Sequence, residues 1–303
     1  MPEGHTLHRL ARDLDRDFTG TVVRASSPQG RFPDATRVSG RVLTRTEAIG
    51  KHLLLHFRGG LVTHVHLGLF GRFRKRRNPP PEPRPTTRLR LEGERSTWDL
   101  SGPTCCELLT PAGLRRLRAR IGADPLAPDA DPSSALGRIQ RSRRAIGALL
   151  LDQTLFAGIG NVYRAELLFL GGIHPLTPGR ALTETQLLSI WTTARDLLAK
   201  GVDARRIVTV SHPAGVRALR AEALFVYRRR ACRVCQGPIW RSVVGARAIY
   251  ACERCQPPLA DDAAGVQAVN GSSGKSSVTT ARARSARVRR WGPRCPGRST
   301  WSA

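Results

Sequence analysis

The second and third residues of the chain combine a candidate nucleophile with a candidate proton-transfer group. Loss of Met1 leaves Pro2 with a free secondary amine, and Glu3 follows it directly. An α-amino group has a pKa of about 7.7–8.0, so a useful fraction of it is unprotonated at neutral pH. Such an amine attacks carbonyl carbons, including C1′ of a sugar that loses its base, and an adjacent carboxyl group moves protons. The pair therefore predicts Schiff-base chemistry, although both residues also suit a plain helix start.

Four of the seven cysteines form two C-x₂-C pairs, with sixteen residues between the pairs. Two such pairs on tight turns supply four thiolates for one zinc ion, and a closed set of this kind is structural rather than catalytic. The stretch between the pairs predicts a β-hairpin that carries Arg241 and Arg247. Either guanidinium group suits a DNA groove, and either also suits a plain solvated surface. The predicted zinc ligands are Cys232, Cys235, Cys252 and Cys255.

A glycine-rich turn precedes an apolar helix in LLDQTLFAGIGNVYRAELLF, residues 150–169. Gly158, Gly160 and Asn161 form the turn, and the helix is expected to begin near Asn161. The backbone N–H groups at a helix N-terminus bind phosphate well. The pattern alone is weak, because many helix caps look like it.

The charge of the chain indicates a polyanionic partner. Lys and Arg number 50 against 23 Asp and Glu, which gives a net charge of +27. Nucleic acid is the leading candidate, because each phosphate that is neutralised releases counterions. A membrane-surface protein is disfavoured, since no segment combines a basic face with an apolar face, and no apolar run reaches the ~18 residues of a membrane span. Charges near the N-terminus break any signal peptide, so the expected location is the cytoplasm.

The order of sequence patterns predicts an α+β multidomain protein. Apolar residues at helical spacing predict a helix over 6–18, and short alternating runs over 22–109 predict an antiparallel β-sandwich. A Pro- and Asp-rich stretch, 124–134, is typical of a linker. The predicted domains are a catalytic β-sandwich domain with the packed N-terminal helix (1–123), a helical DNA-binding domain (134–225), a zinc finger (226–257) and a disordered basic tail (258–303).

Taken together, four motifs resemble the Fpg/Nei DNA glycosylases. They are the PEG start, the pair Gly50 and Lys51, the GIGNVYR turn and the C-x₂-C-x₁₆-C-x₂-C finger, in the family's order over residues 1–256. The PEG start with a retained finger looks more like the Nei branch, endonuclease VIII, than like formamidopyrimidine-DNA glycosylase. The resemblance implies a helix-two-turn-helix domain, one structural zinc ion, and a monomeric glycosylase and AP lyase of base excision repair that acts on damaged double-stranded DNA.

The resemblance also implies roles for individual residues. Pro2 would form an imine with C1′, and Glu3 would act as general acid and base before β- and δ-elimination nick the strand. The phosphates around the lesion would be held by Lys51, Asn161 and Arg247. The space left by the flipped base would be filled by Gly68, Leu69 and Phe70. Extruding a base costs a few kcal/mol, which inserted apolar side chains help to offset. The alternative is that Leu69 and Phe70 are ordinary core residues at a strand end.

Departures from the family pattern keep other interpretations open. His5 and Thr6 stand where many members continue with proline and a second glutamate. The second carboxylate is therefore absent at Thr6, and a catalytically silent paralogue that binds damaged or abasic DNA remains an alternative. An unrelated zinc-ribbon nucleic-acid protein is a second alternative, and it needs no N-terminal amine. Gly147 stands where oxidised-purine enzymes usually carry lysine, which favours oxidised pyrimidines. Lesion choice is also expected to depend on residues 202–227. His64 and His66, on one face of a strand, suit packing or hydrogen bonding better than catalysis.

Overall fold

The computed structural model describes residues 2–211, 219 and 222–259. The predicted basic tail, 258–303, therefore lies almost wholly outside the described residues. Within the described part of the chain, every helix is too short or too polar to cross a membrane.

The N-terminal part of the chain is an antiparallel sheet with three helices. The helices are α1 (Gly4–Phe18), α2 (Ala35–Val38) and α3 (Pro111–Arg120). The eight strands are β1 (Val22–Ser26), β2 (Arg41–Ile49), β3 (His52–Phe57), β4 (Leu61–His66), β5 (Arg72–Arg77), β6 (Thr87–Glu92), β7 (Ser96–Ser101) and β8 (Cys105–Leu109). They lie in the order β5-β7-β6-β1-β2-β3-β4-β8. Strand β1 pairs with both β2 and β6, and it thereby joins the two halves of the sheet.

Helix α1 packs its apolar stripe into the core of this sheet. Leu7, Leu14 and Phe18 are almost fully buried in one cluster with residues from both halves of the sheet. The helical spacing of these side chains explains why the segment forms an amphipathic helix. Because α1 begins at Gly4, its packing also holds Pro2 and Glu3 in place. The predicted N-terminal helix and antiparallel sheet are confirmed.

The second part of the chain is helical. It contains α4 (Ser133–Gln140), α5 (Ile146–Leu149), α6 (Asn161–Leu170) and α7 (Glu184–Ala204) around a separate apolar cluster. Helix α7 begins at a capping box, in which Thr183 and Gln186 satisfy each other's backbone N–H groups. The segment before α4 is held at its start, because Ala123 pairs with Phe156 and the Gly122 N–H donates to the Gln153 carbonyl.

The last described part is a two-stranded hairpin of β9 (Trp240–Val244) and β10 (Arg247–Ala251). Gly245 and Ala246 join the strands with φ angles of 64° and 59°. A two-residue turn of this kind needs positive φ at both positions, which glycine adopts without strain. The hairpin packs against Ala165 and Phe169 of α6, so one helix contacts both the helical part and the hairpin.

Candidate active site and metal centre

The carboxylate of Glu3 lies at the N-terminus of α6. It accepts hydrogen bonds from the N–H groups of Gly160 at 2.9 Å, Val162 at 2.9 Å and Tyr163 at 3.3 Å. The first N–H groups of a helix have no partner within the helix, and they favour a negative charge. Glu3 takes the place that an external anion would otherwise occupy, beside the half-buried Pro2.

Three glycines allow the chain start to approach this helix end. The Gly4 N–H donates to the Gly158 carbonyl at 2.9 Å. A β-carbon on Gly4 would lie 2.9 Å from the Gly158 Cα, and one on Gly50 would lie 2.8 Å from the Ala157 Cβ. Gly158 itself has a φ of +87°. Three segments that are far apart in the chain therefore meet backbone to backbone, which any side chain at these positions would prevent.

Lys51 lies beside the same carboxylate. Its Nζ donates to the Ile159 carbonyl at 2.5 Å. Burial lowers the pKa of Lys51 to about 8, although the Glu3 charge opposes this shift and the Arg247 charge adds to it. Burial raises the pKa of Glu3, while Lys51 and the three N–H donors act in the opposite direction. The structure thus brings Glu3, Lys51 and Arg247 close enough for their charges to interact.

Asp124 supports the turn that carries Lys51. Its buried carboxylate accepts a hydrogen bond from the Gly50 N–H at 2.7 Å and contacts His8 Nε2 at 2.8 Å. The other oxygen accepts from the Leu126 N–H. Asp124 therefore ties α1, the β2–β3 turn and the start of the segment interpreted as a linker to one another.

A fully buried arginine connects the glycine-rich turn to the hairpin. The Nη1 of Arg164 donates to the carbonyls of Gly147 at 3.0 Å and Val244 at 2.9 Å. Its Nη2 donates to the Asn161 Oδ1 at 2.5 Å and to the Ala248 carbonyl at 2.9 Å. The Asn161 amide donates to the same Ala248 carbonyl. Asn161 therefore braces the hairpin through its side chain, and the predicted phosphate contact of this residue stays a prediction.

Glu166, also fully buried, holds a different segment. Its carboxylate accepts hydrogen bonds from the Thr209 hydroxyl at 2.5 Å and from the N–H groups of Phe225, Val226 and Tyr227 at 2.7–3.0 Å. These contacts attach Thr209 and residues 225–227 to α6.

The loop after β4 presents apolar side chains to solvent. Leu69 is 51% exposed and Phe70 is 80% exposed. Gly68 turns the chain with a φ of +62°, and a β-carbon there would collide with the Thr104 hydroxyl. The His66 ring accepts the Gly68 N–H at 3.2 Å. The interpretation of Leu69 and Phe70 as core residues is therefore wrong, and an aromatic ring stands free on a loop whose base is fixed. We call residues 68–70 the insertion loop, after the role that the family resemblance predicts for them.

The four cysteines of the predicted finger converge. Their Sγ atoms all lie within 4.8 Å of one another, with Cys235 and Cys252 at 3.4 Å and Cys232 and Cys255 at 3.9 Å. Four thiolates about 2.3 Å from a tetrahedral zinc ion would be about 3.8 Å apart, which the observed distances bracket. The donor set therefore fits a metal ion of zinc type and has no open position for a substrate.

The comparisons with known proteins agree with this geometry. A family model described as the formamidopyrimidine-DNA glycosylase N-terminal domain matches residues 1–101, and one described as the H2TH domain of the same glycosylase matches residues 121–212. The two matches cover more than half of the chain. The chain belongs to the Fpg/Nei family of DNA glycosylases.

Relatives from both branches of the Fpg/Nei family cover most of the chain. A protein named endonuclease 8 1, from Mycobacterium tuberculosis, is 46% identical over 267 residues, which are 84% of this chain and 100% of the relative. A formamidopyrimidine-DNA glycosylase from Chloroflexus aurantiacus is 33% identical over 280 residues, which are 84% of this chain and 98% of the relative.

Solved structures of Fpg proteins share the fold. The MutM (Fpg) protein of Thermus thermophilus matches with a TM-score of 0.69 and 30% identity, over 84% of this chain and 98% of that chain. The Lactococcus lactis Fpg in complex with a Fapy-dG containing DNA matches with a TM-score of 0.71 and 21% identity, over 85% and 100% of the two chains. The predicted family and its fold are confirmed.

The departures of this Fpg/Nei protein from the family pattern lie close to the site. His5 is buried, its ring meets the Tyr163 ring edge-on, and burial lowers its pKa to about 4. A neutral His5 therefore stands near Glu3. His64 is hydrogen bonded to His52 at 2.9 Å and to Glu107 at 3.0 Å, as the packing interpretation of this residue predicts.

Sequence reasoning missed Asp124, Arg164 and Glu166 as parts of this Fpg/Nei site. Arg164 and Glu166 are charged residues within an apolar helix, NVYRAELLFL, and that contrast is the signal that could have found them. Charged groups in such a place are buried only with hydrogen-bond partners, which the Glu166 carboxylate and both Nη atoms of Arg164 have. Asp124 carries no comparable signal, because it lies in a stretch rich in Asp and Pro.

Proposed function

We propose that the protein is a bifunctional DNA glycosylase and AP lyase of base excision repair. It would act as a monomer on damaged duplex DNA in the cytoplasm, remove an oxidised base through an imine formed by Pro2, and then nick the strand. The observation that carries the proposal is the position of the Glu3 carboxylate, which three N–H groups at the start of α6 hold next to Pro2.

The proposed reaction uses the Pro2 amine after Met1 is removed. Its nitrogen lone pair forms a bond to C1′ of the damaged nucleotide, and the base leaves with the electrons of the C1′–N bond. Glu3 supplies or accepts the protons, and its raised pKa suits it to carry a proton closer to neutral pH than an ordinary glutamate. The C1′–O4′ bond then opens, with a proton delivered to O4′ and the nitrogen lone pair forming the imine. Loss of the 2′ proton from the imine expels the 3′ phosphate, and δ-elimination expels the 5′ phosphate.

Lys51 and Arg247 are proposed to hold the phosphates on either side of the lesion. Burial lowers the pKa of Lys51 and the Arg247 charge adds to this shift, so a phosphate that contacts both cations would offset their mutual repulsion. Asn161 is proposed to contribute at the same place, through the helix end that it begins. The insertion loop would fill the gap in the base stack, for which the exposure of Phe70 suits it.

Zinc is the proposed ion for the four cysteines. Its role would be structural, because the closed thiolate set fixes the turns at the base of the β9–β10 hairpin. When bound, the ion supplies cross-links between the two C-x₂-C turns. The hairpin would then present Arg247 toward Lys51.

Oxidised pyrimidines are the proposed substrates. A β-carbon on Gly147 would lie 2.9 Å from the Pro175 carbonyl oxygen, so the backbone here leaves no space for the lysine of oxidised-purine enzymes. The Gly147 carbonyl is also occupied, because it accepts a hydrogen bond from Arg164. These contacts support the preference for pyrimidines.

A catalytically silent paralogue that binds damaged or abasic DNA is the second candidate. The observation that favours it is at residues 5 and 6. Thr6 stands where many relatives have the second carboxylate, and the adjacent His5 is a buried ring whose pKa is lowered to about 4 by burial. Both candidates need Lys51 and Arg247, but only the enzyme needs a free amine on Pro2.

Borohydride trapping separates the two candidates. Protein purified without Met1 is mixed with a duplex that contains an abasic site, and then with duplexes that contain 5-hydroxyuracil or thymine glycol. We expect a covalent adduct that maps to Pro2 and is lost in Pro2→Gly. Glu3→Gln should still trap the abasic duplex and fail on the intact lesions, because only base release needs the acid. Tight binding of abasic DNA without adduct or nick would support the silent paralogue.

A further inference from the structure

A basic groove lies beside the insertion loop. It encloses a cavity of about 250 Å³, whose lining includes Phe70, Gly102 and four arginines. The arginines are Arg72, Arg74, Arg76 and Arg84. We call these four residues the arginine groove. None of them belongs to the site around Glu3.

Strand β5 places three of these arginines on one face. Its sequence is RFRKRR, and side chains of a strand alternate between the two faces of the sheet. The residues between these arginines, Phe73 and Lys75, make contacts on the opposite face of the strand. Phe73 packs edge-on against Trp98, with the ring centroids 6.3 Å apart, and Lys75 pairs with Asp17 at 2.7 Å. The alternation of side chains along β5 therefore places the three arginines of this strand on the same face.

The acidic residue in the groove does not balance these charges. Asp99 forms a bidentate pair with the buried Arg90, at 2.7 and 3.0 Å, and Arg76 approaches the same carboxylate at 3.7 Å. Within the described residues, Arg72, Arg74 and Arg84 have no acidic group within 4.0 Å. The charge of Arg72, followed by desolvation and the charges of Arg84 and Arg76, lowers the pKa of Arg74. Unbalanced like charges of this kind are relieved by a bound polyanion.

We infer that the arginine groove binds phosphates of duplex DNA next to the insertion loop. This inference rests on the proposed function and extends its DNA interface. A β-carbon on Gly102 would lie 3.4 Å from the Phe70 carbonyl oxygen, so the groove and the insertion loop form one continuous surface. When Phe70 enters the base stack, the sugar-phosphate backbone beside the gap must pass over this surface. Guanidinium groups suit phosphate because their N–H donors match its oxygens.

The test is the salt dependence of DNA affinity. A double variant, R72Q/R74Q, removes two charges of the groove and leaves β5 intact. The matched control, R115Q/R116Q, removes two exposed charges from α3. The full chain is titrated with a duplex that carries one uncleavable abasic-site analogue, at several salt concentrations. The slope of log Kd against log salt should fall by roughly 2 in R72Q/R74Q, since each phosphate contact contributes about 0.9. The control should keep the wild-type slope.

Borohydride trapping at saturating abasic duplex distinguishes this inference from the proposed function. R72Q/R74Q should still form the Pro2 adduct, because its arginines lie outside the chemistry. If the variant still traps DNA but its salt slope is unchanged, the proposed DNA binding by the arginine groove is wrong, and the proposed enzyme activity is unaffected. If the wild type forms no borohydride adduct, the proposed enzyme activity is wrong. The salt slope then still tests whether the arginine groove binds DNA. If R72Q/R74Q unfolds, R84Q, which lies on a loop, should lower the slope by roughly 1.

Discussion

Gly160 and Glu3 are in contact although they are 157 positions apart in the chain. The Gly160 N–H donates to the Glu3 carboxylate at 2.9 Å, and a β-carbon on Gly160 would lie 2.3 Å from the carboxyl carbon. The glycine thus leaves the space that the Glu3 carboxylate occupies. The N-terminal amine and the glycine-rich turn form one site because of this contact.

Gly160→Ala should displace Glu3 and stop catalysis. A shift of about 1 Å at a reacting group costs on the order of 100-fold in rate, and the overpacked contact costs about 1–3 kcal/mol of stability. The measurement is the rate of base release from a 5-hydroxyuracil duplex, with thermal unfolding beside it. The matched control is Gly137→Ala in α4, where a β-carbon meets its nearest atom at 3.4 Å. Wild-type base release by Gly160→Ala would contradict the role given to this contact.

Arg164→Met should detach the hairpin from α6. The substitution leaves the carbonyls of Gly147 and Val244 without this donor, whereas the Ala248 carbonyl keeps the Asn161 amide. Each buried group left unpaired costs about 1–3 kcal/mol. We expect a large loss of stability and faster release of zinc to a chelator, measured by calorimetry and a colorimetric zinc assay. Arg241→Met, at an exposed position on β9, should leave both values close to wild type. Equal zinc release by the two variants would exclude Arg164 as the anchor.

Affinity for abasic DNA should depend on the protonation of Lys51. Its pKa of about 8 means that the cation is present below pH 8 and lost above it, so Kd should rise as pH increases beyond 8. A bound phosphate favours the cation and moves the midpoint upward. Lys51→Met should bind more weakly at pH 7 and show a flatter pH profile, with the two curves approaching each other at high pH. If the two plots of Kd against pH are parallel, a group other than Lys51 causes the pH dependence.

The same lowered pKa has a consequence for stability. The unfolded chain keeps the ordinary lysine pKa of 10.5, so the folded state is disfavoured at pH values where Lys51 must carry its charge. This penalty is fully present below pH 8 and fades as pH rises toward 10.5. The wild type should therefore gain stability between pH 8 and pH 10.5 from this group, and Lys51→Met should lack that gain, which urea unfolding at the two pH values measures.

Phe70→Ala should separate activity from stability. The side chain is 80% exposed, so its removal should change the free energy of unfolding by less than about 0.5 kcal/mol. Stacking of an aromatic ring on a base contributes about 1–3 kcal/mol, so base release from duplex DNA should slow by roughly tenfold or more. Single-stranded DNA with the same lesion, which leaves no gap to fill, should be affected less. Leu188→Ala, at a 41% exposed position on α7, is the control.

The features that the sequence predicted are those carried by neighbouring residues. Alternation of apolar side chains predicted the strands, helical spacing predicted α1, and cysteine spacing predicted the ligands that converge in the structure. The position of Leu69 and Phe70 could not be decided in this way. An apolar pair at a strand end is compatible with a core and with an exposed loop, and only the packing of β4 against its neighbours selects the loop.

The sequence by itself determined the residue types available for chemistry: an amine precursor at Pro2, a carboxyl group at Glu3, a lysine after Gly50 and four spaced thiols. Only the tertiary structure decided that Glu3 caps α6, that Arg164 joins this helix to the hairpin, and that Asp124 supports the turn before Lys51. Local patterns follow from the preferences of adjacent residues. Contacts across more than a hundred residues instead depend on how whole elements pack, and the motifs do not encode that packing one by one.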